Sequence, residues 1–152
     1  HGARRIGLVT GPLEAWTMAE RLAGVRAACK RRRLLWSERL LVAGPPTEAT
    51  GRHAVHTLFS GAPPPDALIT ANNRRFLVVV ESLIDRGGRR PALGAFDGVP
   101  LAGALGFPLA VAVQPVEEMG RQAARLVLSA LAGGRARAAP AALELAIETH
   151  GL

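Results

Sequence analysis

Short apolar runs alternate with amphipathic segments from one end of this chain to the other, and that alternation leaves few folds open. Ile6, Leu8 and Val9 lie in a strand-like run, residues 5–10, that Gly11-Pro12 terminates. Similar runs occupy residues 40–43, 67–70, 92–96 and 109–113, and a last one falls within residues 143–149. Between them, apolar residues recur at helical spacing over residues 17–32, 47–59, 73–85 and 115–132. Thr17 and Glu20 have the spacing of a capping box at the first helix. Gly61-Ala62-Pro63-Pro64-Pro65 breaks the chain after the second, Gly87-Gly88 stops the third and Gly133-Gly134 the fourth. Strand followed by helix, repeated, predicts an α/β fold: a mostly parallel sheet with helices on both faces.

The 152 residues correspond to one domain, 49% hydrophobic and 20% charged. No apolar run approaches the roughly 18 residues that span a bilayer, so no membrane partner is expected. The N-terminal residues enter a strand almost at once, with no signal-peptide pattern. Cys29 is the only cysteine, inside an apparent helix, and reads as a core residue. The net charge of +7 is almost entirely arginine, Lys30 being the only lysine. The run Lys30-Arg31-Arg32-Arg33 falls at a helix C-terminus, where cations complement the dipole.

Signals for an enzyme are absent: there is no nucleophile elbow, phosphate loop, dinucleotide fingerprint or metal-spaced cysteine cluster. His53 and His56 stand three apart on a helix without an identifiable third ligand, so neither a metal nor a cofactor is expected. Binding signals cluster instead where strands end, which is where open α/β sheets take ligands. Thr17 and Arg21, four apart, share a helix face beside the end of the first strand, although Arg21 could equally pair on the surface with Glu14 or Glu20. Asn72 follows the third strand and is either a ligand contact, a helix cap or both. Asp97 ends its strand with an acceptor for two hydroxyls or, alternatively, stabilises the turn at Gly98. Gln114, before Pro115, either faces the cleft or caps the next helix.

The helix over residues 73–85 is apolar around most of its circumference. Such a helix is either central to a larger domain or covered by another chain. A second copy is the favoured expectation, with Phe76, Val79, Val80 and Leu83 at the dimer interface.

The ordered set Gly11-Pro12-Leu13, Arg21-Leu22-Ala23-Gly24, Ala71-Asn72, Phe96-Asp97, Pro108-Leu109 and Gln114-Pro115 with Met119-Gly120 resembles lactose-repressor-type (LacI/GalR) transcriptional regulators over the whole chain. The resemblance implies a type I periplasmic-binding-protein-like fold, two subdomains around an effector cleft, of which this chain is mainly one. Residues 1–113 would be the C-terminal subdomain, 114–134 a crossover and helix belonging to the N-terminal subdomain, and 135–152 a return strand. It further implies a cytoplasmic homodimer that senses a small-molecule effector (sugar, polyol or nucleobase) through Thr17, Arg21, Asn72, Asp97 and Gln114. Operator DNA would be bound through a headpiece outside this chain. The alternative on the same fold is an extracytoplasmic solute-binding protein of a transporter. Two positions depart from the family: Asn73 replaces a common acid, and Pro46 replaces an aromatic that often stacks on the effector, for which Trp16 is a candidate substitute.

Overall fold

The computed structural model describes residues 2–61, 63–133 and 142–152. Six strands form one sheet: β1 (Ile6–Thr10), β2 (Leu41–Ala43), β3 (Ala67–Thr70), β4 (Ala92–Phe96), β5 (Leu109–Val113) and β6 (Ala146–His150). Their spatial order is β2-β1-β3-β4-β5-β6; the first five run parallel and β6 lies antiparallel on β5. Leu8 pairs with Leu41 on one side and Ile69 on the other, so β1 sits between two neighbours and is buried along its whole length. The mostly parallel sheet expected from the sequence is therefore present.

Four helices connect the strands: α1 (Trp16–Arg32), α2 (Glu48–Phe59), α3 (Asn73–Arg86) and α4 (Val116–Leu131). Helices α2 and α3 share one face. Ala54, Val55 and Leu58 from α2, with Phe76, Val79, Val80 and Leu83 from α3, pack over Val9, Val42, Leu68, Leu93, Leu109 and Val111. Helix α1 covers part of the other face, where Leu22, Val25 and Cys29 meet Ile6 and Leu8. Helix α4 buries none of its residues. Its Val116, Val127, Leu128 and Leu131 are all more than half exposed, as is Ile147 of β6.

Helix ends follow side-chain chemistry in two cases and depart from it in one. Thr47 accepts the Thr50 N–H at 3.3 Å through its hydroxyl, and Asn72 Oδ1 accepts the Arg75 N–H at 2.9 Å, each satisfying an orphan donor of the first turn. The capping box expected at α1 does not form. Ala15 is the N-cap with no side-chain bond, because Gly11-Pro12-Leu13 turns the chain so that Thr17 already lies inside the helix. Gly87, at φ 68°, ends α3 in a backbone conformation that side chains disfavour. Of the expected breakers, Gly134 and Ala62 lie outside the described residues, as do His1 and residues 135–141 of the expected return segment.

The expected interface on α3 is corrected by its packing. Phe76 and Val79 are fully buried and Val80 and Leu83 nearly so, all four inside the core beneath the helix. Sheet and α2 together absorb most of the helix's apolar circumference. What remains outward is Leu77 and Ile84, seven residues apart on one stripe and 55% and 52% exposed.

Two contacts make the packing testable. At Gly51 a Cβ would stand 2.5 Å from the Val78 carbonyl oxygen and 3.1 Å from Ser82 Oγ, so α2 and α3 meet backbone to backbone there. Gly51→Ala is expected to lower stability by about 1–3 kcal/mol despite alanine's better helix propensity, measured by thermal unfolding. At the opposite edge, Asp66 Oδ2 accepts the Arg4 and Arg5 N–H groups, each at 3.0 Å, and these bonds hold its carboxyl below the usual range. A carboxyl depressed in the folded state contributes stability above its ordinary pKa and loses it as pH falls. Asp66→Asn should therefore destabilise the protein at neutral pH, with the gap to the parent closing below about pH 4 in denaturant titrations.

Candidate functional site

Parallel pairing sends β1, β2, β3, β4 and β5 out of the sheet at one edge, and the N-termini of α1, α2, α3 and α4 begin just beyond it. Each helix start presents unbonded N–H groups and about half a positive charge to that edge. Helix α1 has neither a capping side chain nor an acid in its first turn, and α3 places Arg74 and Arg75 there. The α1 and α3 starts are thus electropositive, whereas α2 and α4 carry Glu48 and Glu117-Glu118 in their first turns.

Arg21 reaches from α1 across the edge. Its Nη1 donates to the Ala71 carbonyl at the end of β3, its Nη2 lies 3.7 Å from Asp97 Oδ1, and the guanidinium stacks 4.7 Å from the centroid of the Phe96 ring. Cation–π contact and a carbonyl bond fix the planar fork, leaving its remaining donors aimed along the edge. Asp97 follows β4 at φ 70°, in the left-handed region, with its N–H donating to Ala112 O at 3.0 Å. Backbone strain of this kind costs on the order of 1–3 kcal/mol and concentrates at ligand sites. Gln114, after β5, donates its amide to Asp97 Oδ1. Arg21, Asp97 and Gln114, from three separate elements, therefore form one hydrogen-bonded set whose side chains remain partly open to solvent.

The sequence candidates divide accordingly. Arg21 pairs with Asp97 and Ala71, not with Glu14 or Glu20. Gln114 faces Asp97 and does not cap α4, whose N-cap is Pro115. Asn72 caps α3 with its oxygen, which leaves its amide nitrogen as a donor at the same edge. Thr17 lies one turn before Arg21 on α1, exposed and without a hydrogen-bond partner among the described residues. Arg75 was not among the candidates. Its Nε and Nη2 donate to the Gly44 carbonyl after β2, at 3.3 and 3.0 Å, and the side chain is only 5% exposed. The signal was present in the sequence as Arg74-Arg75 at the start of a helix, the end where cations are disfavoured.

Beside this set an open hollow of about 550 Å³ lies between Trp16, Gln114 and the inner side of α4, with Met119, Ala123, Leu126 and Leu145 in its wall. Trp16, the first residue of α1, is 74% exposed and flanks it. Among the described residues no three His, Cys, Asp or Glu side chains converge as a metal site would need. No helix among them is long and apolar enough to cross a membrane.

Comparison with known proteins gives a consistent result. Residues 1–149 match the periplasmic-binding-protein-like domain family. The HTH-type transcriptional regulator CelR of Thermobifida fusca is 31% identical over 152 residues, 98% of this chain and 44% of its own length. The ribose operon repressor of Escherichia coli K12 is 32% identical over 125 residues, 80% of this chain and 38% of its own. Among solved structures, a CelR–cellobiose complex superposes with a TM-score of 0.79 at 30% identity, over 97% of this chain and 46% of that one. A LacI-family regulatory protein from Chloroflexus aggregans superposes at 0.76 with 27% identity, over 87% and 49%. The chain thus spans less than half the length of these relatives. It belongs to the periplasmic-binding-protein-like domain family.

Proposed function

We propose that this chain forms one wall of the effector cleft in a LacI-type bacterial transcriptional regulator, with a sugar or polyol-like small molecule as its ligand. The observation that carries the reading is the Arg21–Asp97–Gln114 set at the carboxyl edge. It supplies paired donors and acceptors for hydroxyls. Binding, not catalysis, is what such a set does. The CelR–cellobiose complex among the structural relatives supports a saccharide class. The names of the relatives, regulators in each case cited, favour this reading over a transport receptor. In the proposal the complete protein works in the cytoplasm and contacts operator DNA through a separate headpiece. Effector binding would shift the balance between two arrangements of the subdomains and so alter headpiece spacing.

The domain division follows the same proposal. Residues 1–113 form the C-terminal subdomain, the α4 segment of residues 114–134 packs with the N-terminal subdomain, and the chain from 135 to 152 returns as the closing strand. The bare apolar surface of α4 supports this, since exposed side chains such as Val127, Leu128 and Leu131 cost free energy unless covered. Two copies are proposed to associate through the outward stripe of α3, Leu77 and Ile84, in place of the buried residues that sequence reasoning selected.

Two experiments bear on these claims. In the complete natural polypeptide containing this chain, Asp97→Ala should weaken effector binding by roughly ten- to a hundredfold, the value of one to two charge-assisted hydrogen bonds, while operator binding persists. An unchanged effector response would remove Asp97 from the site. Light scattering of a Leu77→Asp, Ile84→Asp double variant should give a monomer where the parent gives a dimer; a monomeric parent would end the interface proposal.

A further inference from the structure

Two guanidinium groups cross the carboxyl edge from opposite sides. Arg21 comes from α1 and reaches over the ends of β3 and β4, to Ala71 and Asp97. Arg75 comes from α3 and reaches over the ends of β1 and β2. It bonds the Gly44 carbonyl, and it lies so close to Gly11 that a Cβ there would stand 2.5 Å from its Nη2 and 3.0 Å from Met18 of α1. The absence of a side chain at Gly11 is what admits it.

Arg75 is 5% exposed, yet no carboxylate pairs with it among the described residues; its acceptor is a neutral carbonyl, and Nη1 has none. Burial, the neighbouring Arg74 and then Arg21 all pull its pKa below the ordinary guanidinium value, although an arginine stays charged. A buried cation without a counter-charge is costly, and a protein retains one where something else supplies the charge. The sole acid bonded to the set, Asp97, is already engaged by Arg21 and Gln114. The uncapped start of α1 adds further positive potential to the same edge, and the Thr10 hydroxyl, fully buried just before Gly11, has no partner. Arg75 Nη1, the Thr10 hydroxyl and the uncapped start of α1 therefore lack an acceptor among the described residues.

We infer that the effector carries an anionic group, a carboxylate or phosphate on a sugar framework, which sits between Arg21 and Arg75 while Asp97 and Gln114 hold its hydroxyls. The inference rests on the sugar-sensing reading above and narrows it to acidic saccharides. The donors left free on the two guanidinium groups suit such an anion, and its charge offsets that of the unpaired Arg75.

The test is calorimetric titration of the complete natural polypeptide containing this chain with glucuronate, glucose 6-phosphate, glucose and cellobiose, repeated at low and high salt. At least one anionic probe should bind tenfold or more tightly than glucose, and that preference should shrink at high salt. Which anion wins distinguishes carboxylate from phosphate. In Arg75→Met the preference should fall to about threefold or less, whereas Arg75→Lys, which keeps the charge, should retain more of it; circular dichroism and melting temperature establish that each variant is folded. Binding of glucose or cellobiose equal to or tighter than both anions overturns this inference and leaves the sugar-sensing reading standing. So does an undiminished preference in folded Arg75→Met. Failure of all four probes to bind overturns the inference and removes the support for saccharide sensing together.

Discussion

Parallel strands cannot be joined by tight turns, so each of β1, β2, β3 and β4 must return to the start of the next strand through a crossover. A crossover that begins at the carboxyl end places the next helix's N-terminus there as well. Strand order thus gathers five chain exits along one edge, with the positive ends of α1, α2 and α3 after β1, β2 and β3 and that of α4 after β5, before any residue is chosen for function. The side chains at those exits, Gly11, Gly44, Ala71-Asn72, Asp97 and Gln114, are neighbours in space although up to about a hundred residues apart in sequence. Everything inferred about ligand chemistry depends on this convergence.

What the sequence made legible follows from which forces are local. Strand and helix positions were readable because apolar periodicity and breakers such as Gly87-Gly88 act within a few residues. Asp97 and Gln114 could be singled out as polar residues at the ends of apolar runs, and Arg21 by sharing a helix face with Thr17, but their partners could not. The facing of α3 was not readable either. Periodicity shows that a helix is broadly apolar, but only packing decides how much of that surface the sheet and α2 take up; here it takes Phe76, Val79, Val80 and Leu83 and leaves Leu77 and Ile84. The α1 cap failed for a related reason, since the turn after Gly11-Pro12 lets the helix begin at Trp16, ahead of Thr17. Arg75 was missed because its meaning lies in the carbonyl of Gly44 and the bare Cα of Gly11, both contacts that no local pattern encodes.

The edge combines rigid and strained components. Arg21 is held by a ring, a carbonyl and a carboxylate, and Arg75 by a carbonyl in a slot that fits nothing larger, so neither fork must be ordered at the moment of binding. Asp97 instead occupies a backbone conformation that its residue type tolerates but does not prefer. A side chain kept there at a cost to stability is most simply explained by what it binds.

Strands β5 and β6 are adjacent and antiparallel, with Val113 opposite Ala146. The polypeptide that departs after Val113 therefore re-enters the sheet at the point from which it left. α4 thus departs from the sheet beside the strand that closes it. Gln114, the first residue past β5, is the one that grips Asp97, so the carboxylate at the end of β4 is tied directly to the segment from which α4 departs.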